Sequence, residues 1–490
     1  MAYTVGSLFA GVGGICLGFQ NAKTEKSEYT LQWANEIDEY ACETYRTNFG
    51  HLLLQGDIEK IIHPTRIDEN VERLRSQIKS VEEEKSGIAS EIDKLQKAKK
   101  KPADFEWKVK AYKSKLEQLT QKSDDIEEQL NTLLDERDVE FEIYTENQLF
   151  PNWIIEQNKT EEFNRYIALR EQIIANPIDV LNGGFPCQAF SIAGERHGFK
   201  DPRGNLFLSI VDLIELLGKT HTVYDDKGNV IANGKPRVLF LENVKNLKSH
   251  DDGRTYKAIK SRLEACGYII YERVLNTMDF SNIPQNRERI YIIGFRDEED
   301  AKLFNLFETD EIKKHKVQKN SKDRVKDVKT VIDYSLKRAS AEKYYYTREK
   351  YPGYFMTEAE YKKSGKDTKV NLDEQIDEMY QFYQVRRGMY VRKNRSDVCP
   401  TLTANMGTGG HNVPLIKVKD GVRKITPSEA FRLQGFPVGN GYTLPTIYNG
   451  REYADSHLYK QAGNAVSVPV ITLIAGEILK ILERRDSTND

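Results

Sequence analysis

Cysteine is scarce in this chain. Its five cysteines, Cys16, Cys42, Cys187, Cys266 and Cys399, are odd in number and widely separated among 490 residues, and no two form a CxxC pair. That pattern excludes a disulfide framework and a zinc ribbon, leaves no metal site to expect, and makes a reducing cytosol the expected compartment. An excess of one charge is also absent: 73 Lys and Arg stand against 75 Asp and Glu, for a formal net charge of −2. Total charge therefore names no partner, and any basic surface must be local. No uninterrupted apolar run reaches the roughly 18 residues of a membrane span, so no membrane partner is expected. The opening MAYTVGSLFAGVGGICLGF lacks a basic leader and interrupts its apolar stretch with glycine, which argues against a secretory signal.

What is present is core material. Hydrophobic residues make up 39% of the chain and aromatics 10%, too much for a disordered polymer, while 30% charged residues point to long exposed helices. A length of this order predicts a soluble globular protein of roughly two to four domains. From Tyr3 to about Pro64 short apolar runs alternate with helical patterns in a β-α-β-α order. From about Asp68 to Phe141 the pattern becomes heptad, with one seam through Val71, Leu74, Ile78, Val81, Ile88, Ile92 and Leu95. A second seam runs through Val109, Tyr112, Leu116, Leu119, Ile126, Leu130 and Leu133, with Pro102 between the two. Two helices of about 30 residues, folded back at Pro102 into an antiparallel coiled-coil hairpin, are expected, each about 45 Å long at 1.5 Å per residue. The seams do not say whether the hairpin is a plain insertion or a surface for DNA, a partner or a second copy.

From about Asn176 to Arg296 buried-strand patterns return, as IDVLNGGF, RVLFLENV, YIIYERVLN and RIYIIGF, separated by helical stretches such as NLFLSIVDLIELLG. This alternation implies an α/β domain with a largely parallel sheet covered on both faces. From about Asp297 to His457 the chain is irregular and rich in Lys, Arg and Tyr. Between Lys302 and Lys350 there are 14 Lys and Arg against 8 Asp and Glu, and between Arg386 and Lys424 there are 9 against 2. Local positive charge interleaved with Tyr fits a nucleic-acid-binding face on an otherwise neutral protein, and equally a solvated surface.

Five short stretches bear chemistry. In SLFAGVGGICLGF, a strand runs into glycines, and Gly11 and Gly13 would let the backbone turn tightly and approach a cofactor. The spacing is not the GxGxxG pyrophosphate fingerprint, so a dinucleotide fits less well. Glu36, with Ile37 after it, and Asp57 stand where strands two and three end, positions suited to ribose hydroxyls and a base edge or to ordinary turn chemistry. In NGGFPCQAFSIAG, Cys187 sits in a Gly/Pro turn at a strand end, which suits a nucleophilic thiolate presented to a crevice; the rival reading is a small buried hydrophobe. RVLFLENV ends in Glu242 and Asn243, and a carboxylate ending a core strand is costly unless paired or functional. In IPQNRERIYIIGF, Arg287 and Arg289 alternate and so share a side, able to clamp an oxyanion, a carbonyl or a phosphate. QAGNAVSVPV places Asn464 in a turn before an apolar helix.

Taken together and in order, FAGVGG, Glu36 and Asp57, GGFPCQAFSIAG, LENV, QNRERIYIIGF, RLQGFP and QAGNAVSVPV resemble the successive motifs of the C5-cytosine DNA methyltransferases, particularly the bacterial enzymes of restriction-modification systems. The resemblance covers about residues 3–64 and 177–297, resumes near 385–414 and continues to about 481; the heptad hairpin lies outside it. It implies a Rossmann-like domain binding S-adenosylmethionine and a smaller target-recognition domain, with double-stranded DNA between them. The expected division is 1–67 and 142–297 as two parts of the catalytic domain, 68–141 as the inserted hairpin, 298–457 as the recognition domain, and 458–490 as the return to the catalytic domain.

By the same resemblance Phe9 would stack on the adenine, Glu36 would hold the ribose, Asp57 the adenine edge, Asn464 would line the pocket, and Ile37 would also bind the cofactor. Cys187 would add to the cytosine ring, Glu242 would donate to ring nitrogen 3, and Arg289 with Arg287 would support the base carbonyl. Attack above and below the ring requires the base to leave the stack, and the Ser191–Gly204 loop would close over it, with Ser191 facing DNA. Arg386, Arg387 and Arg392 are candidates for guanine or phosphate contacts, and Thr401 and Leu402 resemble the end of the recognition region. The implied setting is the cytoplasm of a prokaryote, at the nucleoid, beside a cognate restriction endonuclease. Two alternatives stay open: a tRNA cytosine-5 methyltransferase of the same fold, and a catalytically silent DNA-binding scaffold.

Overall fold

The computed structural model describes residues 1–97, 104–185, 205–365, 368–386, 390–394, 398–407 and 413–489. They form two compact units, one of Met1–Gln55, Pro177–Phe185 and Lys235–Asp490, the other of Gly56–Asn176 and Pro186–Gly234.

The first unit is built on a seven-stranded sheet. Its strands are β1 (Ala2–Leu8), β2 (Glu28–Glu36), β3 (Leu52–Gln55), β4 (Val180–Gly183), β5 (Val238–Val244), β6 (Ile269–Asn276) and β7 (Glu288–Phe295), in spatial order β3-β2-β1-β4-β5-β7-β6. The pairs from β3 to β5 are parallel, as expected from the strand-helix alternation. The sheet is nevertheless mixed, because β7 runs antiparallel to both β5 and β6. The reason lies in chain length: only residues 277–287 separate β6 from β7, and a parallel crossover needs a dozen or more residues and usually a helix.

The C-terminal helix Val468–Asn489 contributes Val470, Ile471, Ile474, Ala475, Ile478, Leu479 and Leu482, all fully buried, to a cluster that also holds Val5, Phe19, Phe240 and Ile293. Each large aliphatic side chain buried this way stabilises the fold by roughly 1.5–3 kcal/mol. Among the described residues one helical run, Asp455–Thr488, is long and apolar enough to cross a membrane, and 67% of its most apolar window is buried inside the protein. Its sequence is interrupted by Glu477 and Lys480, and its burial is that of a core helix. The region expected to be irregular contains a four-stranded antiparallel sheet: β8 (Tyr383–Arg386), β9 (Tyr390–Lys393), β10 (Leu415–Val418) and β11 (Gly421–Lys424), in order β9-β8-β10-β11. Tyr383, Val385, Leu415 and Val422 pack beneath it with Tyr346, Phe355 and Leu372.

The second unit carries the helical hairpin, Glu69–Lys97 and Phe105–Asn147. Leu74, Ile78, Val81, Ile88, Leu119 and Ile126 form its buried seam, flanked by Ile92, Tyr112, Leu116, Leu130 and Leu133. The expected fold-back at Pro102 lies outside the described residues. The returning helix is 43 residues long, beyond what its heptads suggest, because its last turns are held by distant partners. Tyr144 meets Phe163 edge-on with ring centroids 5.0 Å apart, and Trp153 donates to Glu140 at 2.8 Å. At the hairpin root Asp68 accepts from Arg137 at 2.6 Å and from Gln157 at 2.9 Å.

Candidate active site

The four glycines after β1 have different reasons to be glycine. Gly11 has φ 55°, and a Cβ built on it meets nothing within 4 Å among the described residues, so its missing side chain leaves open space at the carboxyl end of β1. Gly13 has φ 82°, but a Cβ there would lie 2.1 Å from the Phe49 ring; it is required by packing. Gly14 and Gly18 let the helix Gly14–Asn21 approach the C-terminal segment, where added Cβ atoms would fall 2.8 Å from Val466 and 2.5 Å from Ile471. Phe9, half-buried, has φ 53°. A bulky residue in the left-handed region costs on the order of 1–3 kcal/mol, a strain that clusters at ligand sites.

Glu36 ends β2 beside this turn. Its Oε2 accepts from Gly11 N–H at 2.8 Å, and its Oε1 accepts from Ile37 N–H at 2.9 Å and Asp38 N–H at 2.8 Å. Burial pushes its carboxyl up, and those backbone donors offset this only in part. Oε2 retains a lone pair for an incoming hydroxyl. Ile37 is 64% exposed, an apolar surface next to the carboxylate. Asn464 is exposed at the end of the helix Asp455–Asn464. Open space at Gly11, the Glu36 acceptor, exposed Ile37 and Asn464 are the group types a nucleoside with ribose hydroxyls requires. Asp57 belongs to the second unit, where its carboxylate caps the short helix Ile58–Ile62 by accepting from Glu59 N–H at 3.0 Å.

Glu242 is where the strand chemistry converges. It pairs across with Tyr291 on β7, so period-2 alternation puts Arg289 on its side of the sheet. The side chain is buried, Arg289 Nε lies 3.2 Å from Oε1, and the pair is an ion pair off the hydrogen-bonding direction. Among the described residues Oε1 has no hydrogen-bond partner. Burial pushes this carboxyl up, with Arg289 and then Arg287 pulling against it. A buried carboxyl with raised pKa and a free oxygen can donate or accept one proton at that atom. A Cβ on Gly184 would lie 3.6 Å from Oε2, so the residue just after β4 borders the same carboxylate. Asn243 Nδ2 donates to Phe185 O at 2.9 Å, tying β5 to the residue just before Pro186. Cys187 and Ser191 lie outside the described residues, as do the rest of the Ser191–Gly204 loop and Arg387.

Arg287 serves differently from Arg289. Its guanidinium, fully buried, donates to Leu402 O at 3.1 Å and to the carbonyls of Gly463 and Ala465. Burial and the neighbouring Arg289 push its pKa down to about 9, still above neutrality; the three carbonyls accept from its two Nη groups, while among the described residues its buried Nε has no hydrogen-bond partner. It therefore fixes the segments around Leu402 and Asn464. Thr401 Oγ1 donates to Asn286 O at 2.6 Å, and Leu402 is buried in the core, so its side chain is not a DNA-facing group. Arg386 and Arg392 fall on the face of the small sheet opposite buried Val385; Arg392 is exposed and donates to Gln384 at 3.1 Å.

Two residues of this framework escaped the sequence reading. Gln285 donates to Leu433 O at 2.5 Å and to Gln434 Oε1 at 3.2 Å, and Gln434 donates to Ala462 O at 2.6 Å. Both stand inside quoted motifs, QNRERIYIIGF and RLQGFP, and a buried amide in a motif is the signal that could have found them. Among the described residues no group of three or more His, Cys, Asp or Glu could hold a metal ion.

The chain matches the profile of the C-5 cytosine-specific DNA methylase family over residues 3–74 and 137–480, and the unmatched stretch falls in the hairpin. Type II methyltransferase M.Bsp6I of Bacillus sp. (strain RFL6) is 46% identical over 303 residues, 62% of this chain and 79% of that protein. Type II methyltransferase M1.ScrFI of Lactococcus lactis subsp. cremoris is 34% identical over 307 residues, 62% of this chain and 63% of that protein. The Dnmt2 methyltransferase of S. pombe superposes with a TM-score of 0.48 at 16% identity, over 98% of this chain and 99% of that one, a likeness too distant to add to the argument. With a profile match spanning most of its length and a Type II methyltransferase 46% identical over 62% of it, the chain belongs to the C-5 cytosine-specific DNA methylase family and is a DNA cytosine-5 methyltransferase.

Proposed function

We propose that this enzyme transfers the methyl group of S-adenosylmethionine to carbon 5 of a cytosine flipped out of a short, specific duplex sequence, through a covalent adduct at Cys187. Its setting is the cytoplasm of a prokaryote, where it serves as the modification partner of a cognate restriction endonuclease. The observation that carries this reading is Glu242: a buried carboxyl with raised pKa, one oxygen without a hydrogen bond among the described residues, and Arg289 beside it.

Carbon 5 of cytosine is too poor a nucleophile to take a methyl group unaided. Addition of the Cys187 thiolate to carbon 6 moves the ring electron pair onto carbon 5, and negative charge builds toward ring nitrogen 3. Glu242, protonated, donates there, and Arg289 supports the base carbonyl. S-adenosylmethionine supplies the electrophilic methyl; Glu36, Ile37, Phe9, the open turn at Gly11 and Asn464 would hold it, with Asp57 at the adenine edge. Loss of the carbon-5 proton then re-forms the ring double bond and expels the thiolate. Arg386, Arg387 and Arg392 would meet guanine or phosphate, and Ser191 would meet DNA from the closing loop.

Duplex DNA carrying 5-fluorocytosine at the target tests the reading, because fluorine at carbon 5 cannot leave as a proton does. The expected result is a covalent complex, stable to denaturant, formed by the full chain with cofactor and absent in Cys187→Ala. A folded, cofactor-bound protein that is not trapped on DNA known to contain its site would overturn the mechanism.

A further inference from the structure

The family profile skips residues 75–136, most of the hairpin, and the charge of the hairpin is sharply partitioned. Residues 94–97 and 104–115, at the ends of the two helices away from the root, contain six Lys against two acidic residues, whereas 117–147, toward the root, contain eleven Asp and Glu against two basic residues. A helix selected only for solubility interleaves both signs along its length. Beyond the buried seam, Trp107 is 71% exposed at the start of the returning helix, with Lys110 and Lys113, both exposed, at i+3 and i+6. Lys97, 76% exposed at the end of the outgoing helix, donates to the likewise solvent-facing Asp93 at 2.7 Å, a surface pair that a phosphate can displace. An exposed tryptophan is costly to leave in water, and among lysines it provides the aromatic-plus-basic surface that fits a sugar-phosphate chain.

We propose that the lysine-rich end of the hairpin, marked by Lys97, Trp107, Lys110 and Lys113, is a second contact for duplex DNA, made to the phosphate backbone without sequence readout. The inference rests on the enzyme's acting on DNA. The acidic root repels phosphate, so the contact is confined to the basic end of an arm whose 29-residue outgoing helix is about 43 Å long. Such a contact strengthens binding and retention on DNA and leaves the chemistry at the flipped cytosine unchanged.

The test compares the full chain with Lys97→Gln/Lys110→Gln/Lys113→Gln, glutamine being an equally good helix former. Each lost phosphate contact lowers the slope of log affinity against log salt by about 0.9. The expected result is a slope lower by about 2 to 3, at least a roughly tenfold rise in the KM for DNA near 0.1 M salt, and an unchanged kcat at saturating DNA. Trp107→Ala should raise KM with the slope kept. An unchanged slope and KM would overturn the proposal, as would binding of the wild-type arm lysines to anionic phosphatidylglycerol vesicles with no effect on DNA. Wild-type chain inactive on DNA would instead contradict the function itself, while loss of kcat in the triple variant would contradict a role confined to binding.

Discussion

Glu242→Gln should lower kcat/KM for methyl transfer by about 10²–10⁴-fold while the protein stays folded and retains its cofactor affinity. Glutamine keeps the shape, and Glu242 Oε1 makes no hydrogen bond among the described residues that the change would break. What is lost is the transferable proton, together with the carboxylate that can pair with Arg289. Because burial raises the Glu242 carboxyl, wild-type activity should decline as pH rises through that raised value, and the variant should lose this alkaline limb. The sign for stability is the same: a carboxyl whose folded pKa lies above its unfolded one stabilises the fold fully below the unfolded value, and that contribution is lost as pH rises through the folded one. A pH-rate profile of both proteins, with a thermal melt to establish folding, checks the prediction. Near-normal turnover in the variant would remove Glu242 from the chemistry.

The second large effect is on stability, at Glu429. This carboxylate is buried, accepts from Arg423 Nη1 at 2.8 Å and Nη2 at 2.7 Å, and also accepts from the backbone N–H groups of Thr426 at 2.7 Å and Asp333 at 2.9 Å. Arg423 is itself fully buried; burial lowers its pKa, and the Glu429 carboxylate more than restores it. Glu429→Ala would leave a buried guanidinium without its counter-charge and should cost about 3–5 kcal/mol, a large part of a typical total stability. Replacing both, as Arg423→Met/Glu429→Leu, should recover part of that loss, because no charge then remains to desolvate while the N–H groups of Thr426 and Asp333 still lack the acceptor that Glu429 gave them. Urea unfolding of the two variants decides it: a loss of under about 0.5 kcal/mol in Glu429→Ala, the range of surface substitutions, would show that the pair is not the anchor of this region.

The legible features were those encoded locally. The hairpin seam followed from heptads, and Leu74, Ile78, Leu119 and Ile126 lie in it as their spacing requires. The shared side of Arg287 and Arg289 followed from strand alternation, but the division of labour between them did not. Arg287 is committed to carbonyls at residues 402, 463 and 465, more than a hundred positions away, and no local pattern encodes such partners. The glycine cluster was legible as a turn, yet only the fold separates Gly11, with open space at its Cβ position among the described residues, from Gly13, closed by Phe49. Asp57 read as a cofactor group, and its helix-capping bond to Glu59 became visible only with the backbone. The small sheet β8 to β11 was missed because its four-residue strands are interleaved with Arg and Lys, and its apolar partners come from elsewhere in the chain.

The most direct measurement is base-resolution sequencing of 5-methylcytosine in DNA from cells expressing this chain, beside cells expressing Cys187→Ala. The account predicts new methylation at carbon 5 of cytosine within one short motif, absent in the control. Soluble protein that leaves that DNA unmethylated, or methylation that persists in Cys187→Ala, would contradict it.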